Sequence, residues 1–289
     1  MSPRIALATC KELPELDPDD HPLIRFFAKV GVEATPAIWS DPSVDWKTFD
    51  SVIIRNTWDY TDNLPEFLTW VQSLGPKVRN SLHTITWNSD KTYLRDLASV
   101  GIEVIPTQFV LPGATEWDIP TASDFVVKPS VSAGSRDTQR FAATPASRQE
   151  AQVLVDSIHL AGKTAMVQPY LDLVDSDGET ALLYINGEFS HAIRKGPLLQ
   201  KGIEAERVHG LFVQEDISSR TARPDQLAVG KAVLEYVSGE FGTPLYARVD
   251  LIDQLDGRPL LLELELVEPS MFFDKYPAGL EHFVAASLP

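Results

Sequence analysis

Short apolar runs alternate with amphipathic segments over the first quarter of the chain. Strands are predicted at Arg4–Thr9 (RIALAT), at Glu33–Ile38 and from Ser51 onward (SVIIRNTWDY), because aliphatic residues dominate each run. Helices are predicted at Pro22–Gly31 and Leu64–Leu74. Alternation of this kind predicts a small α/β unit, in which ligands bind beyond the carboxyl ends of the strands.

Polar residues follow the third of these strands, where such a ligand would bind. We therefore expect Arg55, Asn56, Trp58 and Asp59 to contact a substrate. An alternative of equal weight gives Arg55 a structural role, as the ion partner of an acid at a helix end.

The rest of the chain continues with mixed elements. One strand carries Lys128 and is followed by the small-residue loop Ser130–Ser135, where backbone amides could approach phosphate oxygens, although such loops also occur in plain hairpins. The segment Gly196–Ala222 shows no periodicity and is predicted to be a long loop that closes over substrate. The apolar pattern predicts further helices at 91–100, 145–161 and 224–240, and strands at 104–111, 165–171, 179–187 and 188–195.

Two acids interrupt an apolar run near the end of the chain, in the stretch LLLELEL. The preceding dipeptide Asp256-Gly257 is typical of a two-residue type I′ hairpin turn. A hairpin closed by that turn places Asp250 opposite Glu263, and Arg248 opposite Glu265, with all four side chains on one face. The other face is predicted to be core and comprises Val249, Leu251, Leu262 and Leu264.

Three carboxylates on adjacent strands repel one another unless a cation lies among them. Asp250, Glu263 and Glu265 offer the oxygen ligands that Mg²⁺ prefers, and we expect mutual repulsion when no ligand is bound. The alternative is a solvated face whose acids are balanced by Arg248 and Arg258. The metal site is favoured because the acids lie among leucines, where an unpaired charge is costly.

Composition narrows the classes of partner. The 289 residues are 44% hydrophobic, enough for two or three lobes, and the formal net charge of −16 disfavours nucleic acid and anionic membranes as partners. A single cysteine, Cys10, and an N-terminus without a signal-peptide pattern lead us to expect a cytoplasmic protein. No apolar run approaches the length of a membrane span, and a homo-oligomer is compatible with the sequence.

The hairpin resembles the metal-binding hairpin of the ATP-grasp superfamily, which has an Arg-x-Asp strand followed by Glu-x-Asn. This chain has Arg248-Val249-Asp250 and Glu263-Leu264-Glu265, so a glutamate replaces the usual asparagine. The resemblance implies an α/β (α+β) fold in three parts: an N-terminal pre-ATP-grasp α/β domain (1–90), a central lid subdomain (91–171) and a C-terminal mixed-sheet catalytic domain (172–289). It also implies ATP and Mg²⁺ as cofactors.

The same resemblance implies roles for individual residues. Lys91 and Lys128 are expected to hold ATP phosphates, and Glu179 is expected to bind the ribose, a role for which Asp172, Asp175 and Asp177 compete. Arg248 and Lys195 are the predicted catalytic residues, although Arg248 could instead serve only as the ion partner of Glu265. The remaining expected contacts are Ser130, Ser132, Gly134 and Ser135 in the lid, Gln168, Pro169, Tyr170 and Leu171 around adenine, and Glu268 for substrate.

Three phrases narrow the resemblance further: IIRNTWDY, KPSVSAGSRDTQRF and LELELVEPSMFF. They are similar to the group that contains the O-ureido-D-serine cyclo-ligase of D-cycloserine biosynthesis. The implied reaction activates the carboxylate of a small amino-acid-like substrate as an acyl phosphate, which a nitrogen of the same molecule then attacks. Two alternatives stay open at this point: a ligase that joins two separate molecules, and a non-catalytic nucleotide-binding protein.

Overall fold

The architecture consists of three larger sheets and one two-stranded ribbon. A computed structural model of the chain describes residues 2–114, 116–120, 123–199, 207–208, 211–213 and 216–288. Within these ranges, no helix is both long enough and apolar enough to cross a membrane.

The N-terminal unit is a four-stranded parallel sheet in the order β2-β1-β3-β4. Its predicted strands and helices are confirmed, with shifts of one or two residues at the ends of the first helix. Parallel strands bring their carboxyl ends to the same edge of the sheet, which therefore faces any ligand. The elements are β1 (Arg4–Thr9), α1 (His21–Lys29), β2 (Glu33–Ile38), β3 (Ser51–Asn56), α2 (Leu64–Leu74) and β4 (Val78–Arg79), with 3₁₀ turns at Trp46–Thr48, Tyr60–Asp62 and Gly75–Lys77.

The central part contains a second four-stranded sheet, in the order β5-β8-β6-β7. All its pairings are antiparallel. The long helix α5 covers one face of this sheet by burying Ala151, Val155 and Ile158. The elements are α3 (Leu82–Asn88), α4 (Tyr93–Ser99), β5 (Gln108–Val110), β6 (Phe125–Pro129), β7 (Gln139–Phe141), α5 (Pro145–Leu160) and β8 (Ala165–Pro169).

The C-terminal part is built on a five-stranded antiparallel sheet, in the order β13-β10-β9-β14-β15. The prediction of one long loop over Gly196–Ala222 is wrong in part, because strand β13 and a short ribbon of β11 and β12 lie within it; residues 200–206, 209–210 and 214–215 fall outside the described ranges. The elements are α6 (Leu173–Asp177), β9 (Glu179–Ile185), β10 (Glu188–Lys195), β11 (Arg207–Val208), β12 (Phe212–Val213), β13 (Ile217–Arg220), α7 (Pro224–Phe241), β14 (Tyr246–Asp253), β15 (Pro259–Glu265) and α8 (Ala278–Ser287).

A shared hydrophobic core joins the first and last parts of the chain. Ile5 and Phe27 of the N-terminal unit belong to the same buried cluster as Leu183 of β9 and Phe283 of α8. Helix α4 also packs on the C-terminal sheet, since Leu97 lies in a cluster with residues of β14 and β15. These contacts fix the N-terminal sheet edge relative to the β14–β15 hairpin.

The hairpin has the predicted register at its charged end but a different turn. Asp250 pairs with Glu263 and Arg248 with Glu265, as the sequence predicts. The chain reverses through a three-residue loop, Leu255–Gly257, in which only Gly257 has a positive φ (+85°), so a type I′ turn is excluded. A β-bulge after Asp250 restores the predicted pairing.

The bulge changes which face Leu262 occupies. The predicted core face included Leu262, but this side chain is only partly buried and lines a cavity instead. Val249, Leu251 and Leu264 are buried in the core as predicted. The extra residue of a bulge rotates the strand locally, which explains why one leucine of the four leaves the core.

Side chains satisfy the outer edge of β15 at Leu264 and Leu266, whereas at Leu261 the edge pairs with the backbone of Glu103 and Ile105. The Tyr93 hydroxyl donates to the carbonyl of Leu264 (2.8 Å) and accepts from its N–H (2.8 Å). Asn88 donates to the same carbonyl (2.8 Å) and accepts from the N–H of Leu266 (2.6 Å). An exposed sheet edge is thereby closed and held in place.

This edge arrangement predicts that Tyr93→Phe destabilises the protein although it removes only one oxygen. The free energy of unfolding should fall by about 1–3 kcal/mol, because the buried Leu264 N–H loses its acceptor. Urea denaturation followed by circular dichroism measures this change. Tyr276→Phe is the matched control, since this exposed ring loses the same atom, and an equal loss in both variants would contradict the assigned role of Tyr93.

Candidate active site

A cavity of about 370 Å³ lies where the three larger sheets meet. Residues from the N-terminal unit, from the central sheet and from the β14–β15 hairpin all line it. The predicted site residues in its wall are Trp58, Lys91, Lys128, Ser132, Gly134, Ser135, Gln168, Pro169, Tyr170, Leu171, Glu179, Lys195, Arg248, Glu263, Glu265 and Glu268. The predicted residues outside the wall are Arg55, Asn56, Asp59, Ser130 and Asp250.

Arg55 is wholly buried and does not face the cavity. Its guanidinium pairs with Asp20 (3.2 Å), the N-cap residue of α1, and donates to the carbonyl of Pro269 (2.9 Å). The prediction that Arg55 contacts substrate is therefore corrected in favour of the structural alternative, an ion pair with an acid at a helix end. The contact with Pro269 also ties the N-terminal unit to the segment that follows β15.

Asn56 and Asp59 are likewise engaged in structural contacts. Asn56 donates to Asp20 (3.0 Å) and accepts from the N–H of Asp17 (2.9 Å), which orders the loop before α1. Asp59 accepts from the indole N–H of Trp39 (2.6 Å). The expectation of substrate contacts at these two positions is corrected for the same reason: their polar groups are used within the N-terminal unit.

Hydrogen bonds hold the first half of the small-residue loop Ser130–Ser135 in place. Ser130 is fully buried; its N–H donates to Thr164 (2.8 Å) and its carbonyl accepts from the N–H of Lys91 (2.8 Å). The Lys91 ammonium donates to the carbonyl of Ser132 (2.7 Å). Within this loop, the residues that both line the cavity and are partly or fully exposed are Ala133–Ser135. Ser130 therefore supports the base of the lid instead of lining the cavity.

The carboxylate of Asp250 lies behind the cavity wall between two cations. Arg248 donates to it through Nε (2.8 Å) and Nη2 (3.0 Å), and Lys195 donates from the neighbouring strand pair (3.2 Å). Burial opposes ionisation, but these two cations hold the pKa of Asp250 below its ordinary value. Lys195 also pairs with Glu179 (3.2 Å), opposite it on β9.

Glu263 faces the cavity and is balanced by lysines. Lys91 lies 3.1 Å from its carboxylate, and Lys128 acts on it through space. Burial opposes the charge, yet the two ammonium groups keep the pKa of Glu263 below its ordinary value. Burial lowers the pKa of Lys128 itself, and the charge of Glu263 opposes this shift.

Glu265 differs from the other two hairpin acids. Its carboxylate contacts Arg248, the predicted ion partner, but burial and the charges of Glu263 and Asp250 outweigh this attraction and raise its pKa to about 7. The expected repulsion among the acids is thus concentrated on Glu265, whereas protein cations relieve it at Asp250 and Glu263.

The three hairpin acids do not converge as one set of metal ligands in this structure. Within the described ranges, no three histidine, cysteine or acidic side chains lie close enough to hold one ion. Glu263 and Glu265 nevertheless present carboxylate oxygens to the cavity, a donor set of the kind Mg²⁺ takes when phosphates and waters supply the remaining ligands. Metal binding therefore stays a prediction for all three acids, of which Glu263 and Glu265 line the cavity and Asp250 does not.

The other end of the cavity is apolar. Tyr170 and Leu171 close it after β8; the Tyr170 hydroxyl donates to Asp175 (2.5 Å), and the guanidinium of Arg140 stacks on its ring. Gln168 donates to Thr107 (2.8 Å) and so holds the strand end in place. Aliphatic side chains complete this end: Ile105, Val126, Val174, Ile252 and Leu262. A flat aromatic group would be bound here by apolar contact.

The N-terminal wall contains residues that the sequence reading missed. Asp17, Asp19 and Tyr60 line the cavity beside Trp58, whose indole N–H donates to the carbonyl of Glu268 (3.1 Å). Asp17 and Asp19 lie in the loop between β1 and α1, beyond the carboxyl end of a parallel strand. The rule that directed attention to Arg55 also applied to this loop and would have found them.

Comparison with known proteins establishes the family. Residues 5–80 match the family model described as the N-terminal domain of the D-cycloserine synthetase DcsG. The chain is 36% identical over 283 residues to the cycloserine biosynthesis protein DcsG of Streptomyces lavendulae, with 92% of each chain covered. The chain belongs to the D-cycloserine synthetase family.

Solved structures place this family member within a larger fold class. A crystal structure of D-cycloserine synthetase DcsG superposes with a TM-score of 0.87 at 32% identity, covering 98% of each chain. The D-alanine–D-alanine ligase of Bacillus anthracis, solved as a complex with ATP, matches with a TM-score of 0.65 at 14% identity over 99% of this chain and 96% of that one. The likeness to the D-alanine–D-alanine ligase concerns the fold alone. This fold is the predicted ATP-grasp fold, and an ATP-grasp protein of Sphaerobacter thermophilus shares it.

The raised pKa of Glu265 predicts how the free energy of unfolding depends on pH. Glu265 binds its proton more tightly in the folded than in the unfolded protein, so the free energy of unfolding falls as the pH rises from about 4.5 to about 7. Glu265→Gln removes this loss, and the variant should exceed the wild type by on the order of 2 kcal/mol at pH 8 and match it near pH 4. Urea denaturation without nucleotide at both pH values measures the difference. If the wild type instead becomes more stable relative to Glu265→Gln as the pH rises, the raised pKa assigned to Glu265 is contradicted.

Proposed function

We propose that the protein is an ATP-dependent cyclo-ligase that converts O-ureido-D-serine to D-cycloserine. The observation that carries the proposal is the cavity itself, which combines an apolar end with a wall where two carboxylates alternate with Lys91, Lys128 and Arg248. Membership of the D-cycloserine synthetase family supports D-cycloserine as the product, and the ATP complex of a ligase with the same fold supports the use of ATP.

In this proposal the nucleotide occupies the cavity with its base at the apolar end. Adenine would lie between the aliphatic side chains and Tyr170, and Glu179, which lines the cavity at the start of β9, would bind the ribose. The triphosphate would then reach Lys91 and Lys128, and the exposed part of the lid, Ala133–Ser135, could cover it. Lys91 already joins the base of the lid to the hairpin, so it is suited to couple lid position to phosphate binding.

Mg²⁺ would be held by Glu263 and Glu265, with Asp250 available if Arg248 or Lys195 moves towards the phosphates. When bound, the ion would neutralise charge on the phosphoryl group during transfer. Arg248 has two donors on Asp250 and contacts Glu265, so its guanidinium is held in the cavity wall. There it can stabilise the negative charge of the acyl phosphate.

The chemistry needs positioning more than covalent help from the protein. A carboxylate oxygen of the substrate attacks the γ-phosphorus, and the bond to ADP breaks. The ureido nitrogen attached to oxygen then attacks the acyl carbon, phosphate leaves and the five-membered ring closes. D-cycloserine carries no carbamoyl group, so water must also add to the carbamoyl carbon; the bond from this carbon to the ring nitrogen breaks, and the group leaves as carbamic acid, which gives CO₂ and NH₃. Burial of the site behind the lid protects the acyl phosphate from water.

A product assay tests the proposed function. Purified protein is incubated with ATP, Mg²⁺ and O-ureido-D-serine, and ADP, phosphate and D-cycloserine are quantified by chromatography. We expect the three products to form in equal amounts without any added amine. ADP release that requires a second amine would indicate an intermolecular ligase, and the absence of ADP release would refute the proposal.

The metal assignment predicts a large catalytic effect of Glu263→Gln. This change keeps the size of the side chain but removes the charge that would bind Mg²⁺, so kcat/KM should fall on the order of a hundredfold. Glu103→Gln is the matched control, because Glu103 is a half-exposed glutamate that pairs with Arg258 on the surface. Circular dichroism checks that both variants fold. Unchanged turnover in folded Glu263→Gln would show that this carboxylate only balances Lys91.

A further inference from the structure

The segment Glu268–Asp274, which follows β15, contains a strained residue. Phe272 has a positive φ (+50°) although its side chain is bulky. This backbone conformation is rare for such a residue and is unfavourable, so it persists only where the surrounding structure enforces it. Strained residues of this kind cluster at functional sites. Phe272 lines the cavity, so the strain lies in the wall of the candidate active site.

Hydrogen bonds fix the backbone on both sides of Phe272. His191 of β10 donates through Nε2 to the carbonyl of Met271 (2.9 Å). The N–H of Asp274 donates to the carboxylate of Asp19 (2.9 Å), in the loop before α1. Two distant parts of the chain thus hold the residues that flank Phe272, and the surrounding structure enforces its positive φ.

The first half of the segment is held in the same way. The carbonyl of Glu268 accepts from the indole of Trp58 (3.1 Å), and the carbonyl of Pro269 accepts from Arg55 (2.9 Å). An irregular segment with few such contacts would be mobile, whereas this one is fixed along its length. The position of the Phe272 ring is therefore set before any ligand binds.

The Phe272 ring lies beside the predicted catalytic arginine. It packs against the buried cluster that joins the N-terminal unit to the C-terminal sheet, and it also lines the cavity. The guanidinium carbon of Arg248 is 5.8 Å from the centre of the ring, within the range of a cation–π contact. In the proposed function Arg248 stabilises the acyl phosphate, so the ring would lie next to the reacting carboxyl group.

An aromatic ring in this place is a poor neighbour for a second nucleophile. Phenylalanine has no polar atom that could orient a water molecule or an amine, or accept a proton from it. The nitrogen that closes the ring of D-cycloserine needs no such help, because it belongs to the same molecule as the acyl phosphate. A fixed apolar group beside Arg248 therefore favours the internal nucleophile over any external one.

We propose that Phe272 restricts the acyl phosphate to the intramolecular nucleophile by excluding water and separate amines from the Arg248 side of the cavity. This inference rests on the proposed function and deepens it. In the excluded reaction an external oxygen or nitrogen bonds to the acyl carbon, and the bond from this carbon to the phosphate oxygen breaks. Phosphate leaves, and the proton of the nucleophile passes to phosphate or solvent. ATP would then be consumed without ring closure.

Interception by hydroxylamine tests the proposal. The wild type, Phe272→Gly and Phe272→Leu are incubated with ATP, Mg²⁺ and O-ureido-D-serine, with and without hydroxylamine. ADP, D-cycloserine and the open-chain hydroxamate are then quantified by chromatography with mass spectrometry. Glycine adopts the positive φ without strain, so Phe272→Gly removes the ring and retains the backbone conformation, whereas leucine retains apolar bulk.

We expect Phe272→Gly to release roughly threefold or more ADP per D-cycloserine than the wild type, because water reaches the acyl phosphate. With hydroxylamine, this variant should form the hydroxamate, while the wild type and Phe272→Leu form little. Phe189→Ala is the matched control, because Phe189 is an exposed aromatic residue of β10 that does not line the cavity. Circular dichroism checks folding, and Phe272→Asn, which also tolerates a positive φ, replaces Phe272→Gly if that variant does not fold.

The outcomes separate this inference from the proposed function. If the wild type forms D-cycloserine and folded Phe272→Gly keeps the wild-type ratio of ADP to product with no added hydroxamate, the ring serves the fold alone and the inference is overturned. A wild type that forms the hydroxamate as readily as Phe272→Gly overturns it as well. If the wild type releases no ADP with O-ureido-D-serine, the proposed function fails. Hydroxamate formation from a panel of free amino acids then decides the inference: more hydroxamate in Phe272→Gly than in the wild type supports it, and no difference overturns it.

Discussion

The balance of buried charge on the β14–β15 hairpin is the constraint on which the rest of the structure depends. Asp250 cannot remain ionised behind the cavity wall without Arg248 and Lys195, and Glu263 requires the nearby ammonium groups of Lys91 and Lys128. Arg248 lies on the hairpin itself, whereas Lys91 precedes α4, Lys128 lies on β6 and Lys195 ends β10, so the charged hairpin brings three other parts of the chain together. Phosphates carry negative charge that the lysines and Arg248 can bind, and a metal ion carries positive charge that the acids can bind. The same cluster therefore suits both ligands.

The sequence predicted the charged end of the hairpin correctly although the turn was wrong. Asp256-Gly257 indicated a two-residue loop, but the observed three-residue loop shifts the pairing by one position. The bulge at Leu262 reverses that shift before the strands reach Glu263. A bulge depends on packing against the surrounding sheet and leaves little local signal, which is why the move of Leu262 into the cavity could not be predicted.

In the candidate site, too, residues marked by a local sequence pattern were predicted, and residues whose role depends on contacts between distant elements were not. Lys128 was found because a lysine before a small-residue loop is a local feature, whereas Lys91 and the segment Gln168–Leu171 were implied by the resemblance to the ATP-grasp superfamily. Arg55 was assigned wrongly because its partner, Asp20, lies on another element and only the fold brings the two together. Asp19 was missed although the rule for strand ends also applied to its loop, and only the fold shows that this residue lines the cavity.

The central claim is that protein cations substitute for a metal–nucleotide complex at the hairpin and exchange partners when that complex binds. A crystal structure with Mg²⁺ and a non-hydrolysable ATP analogue tests this most directly. The account predicts magnesium coordinated by Glu263 and Glu265, with the Lys91 ammonium moved from Glu263 to a phosphate oxygen. A structure in which the nucleotide binds while Lys91 stays on Glu263 and Arg248 on Glu265, with the ion bound elsewhere, would contradict it.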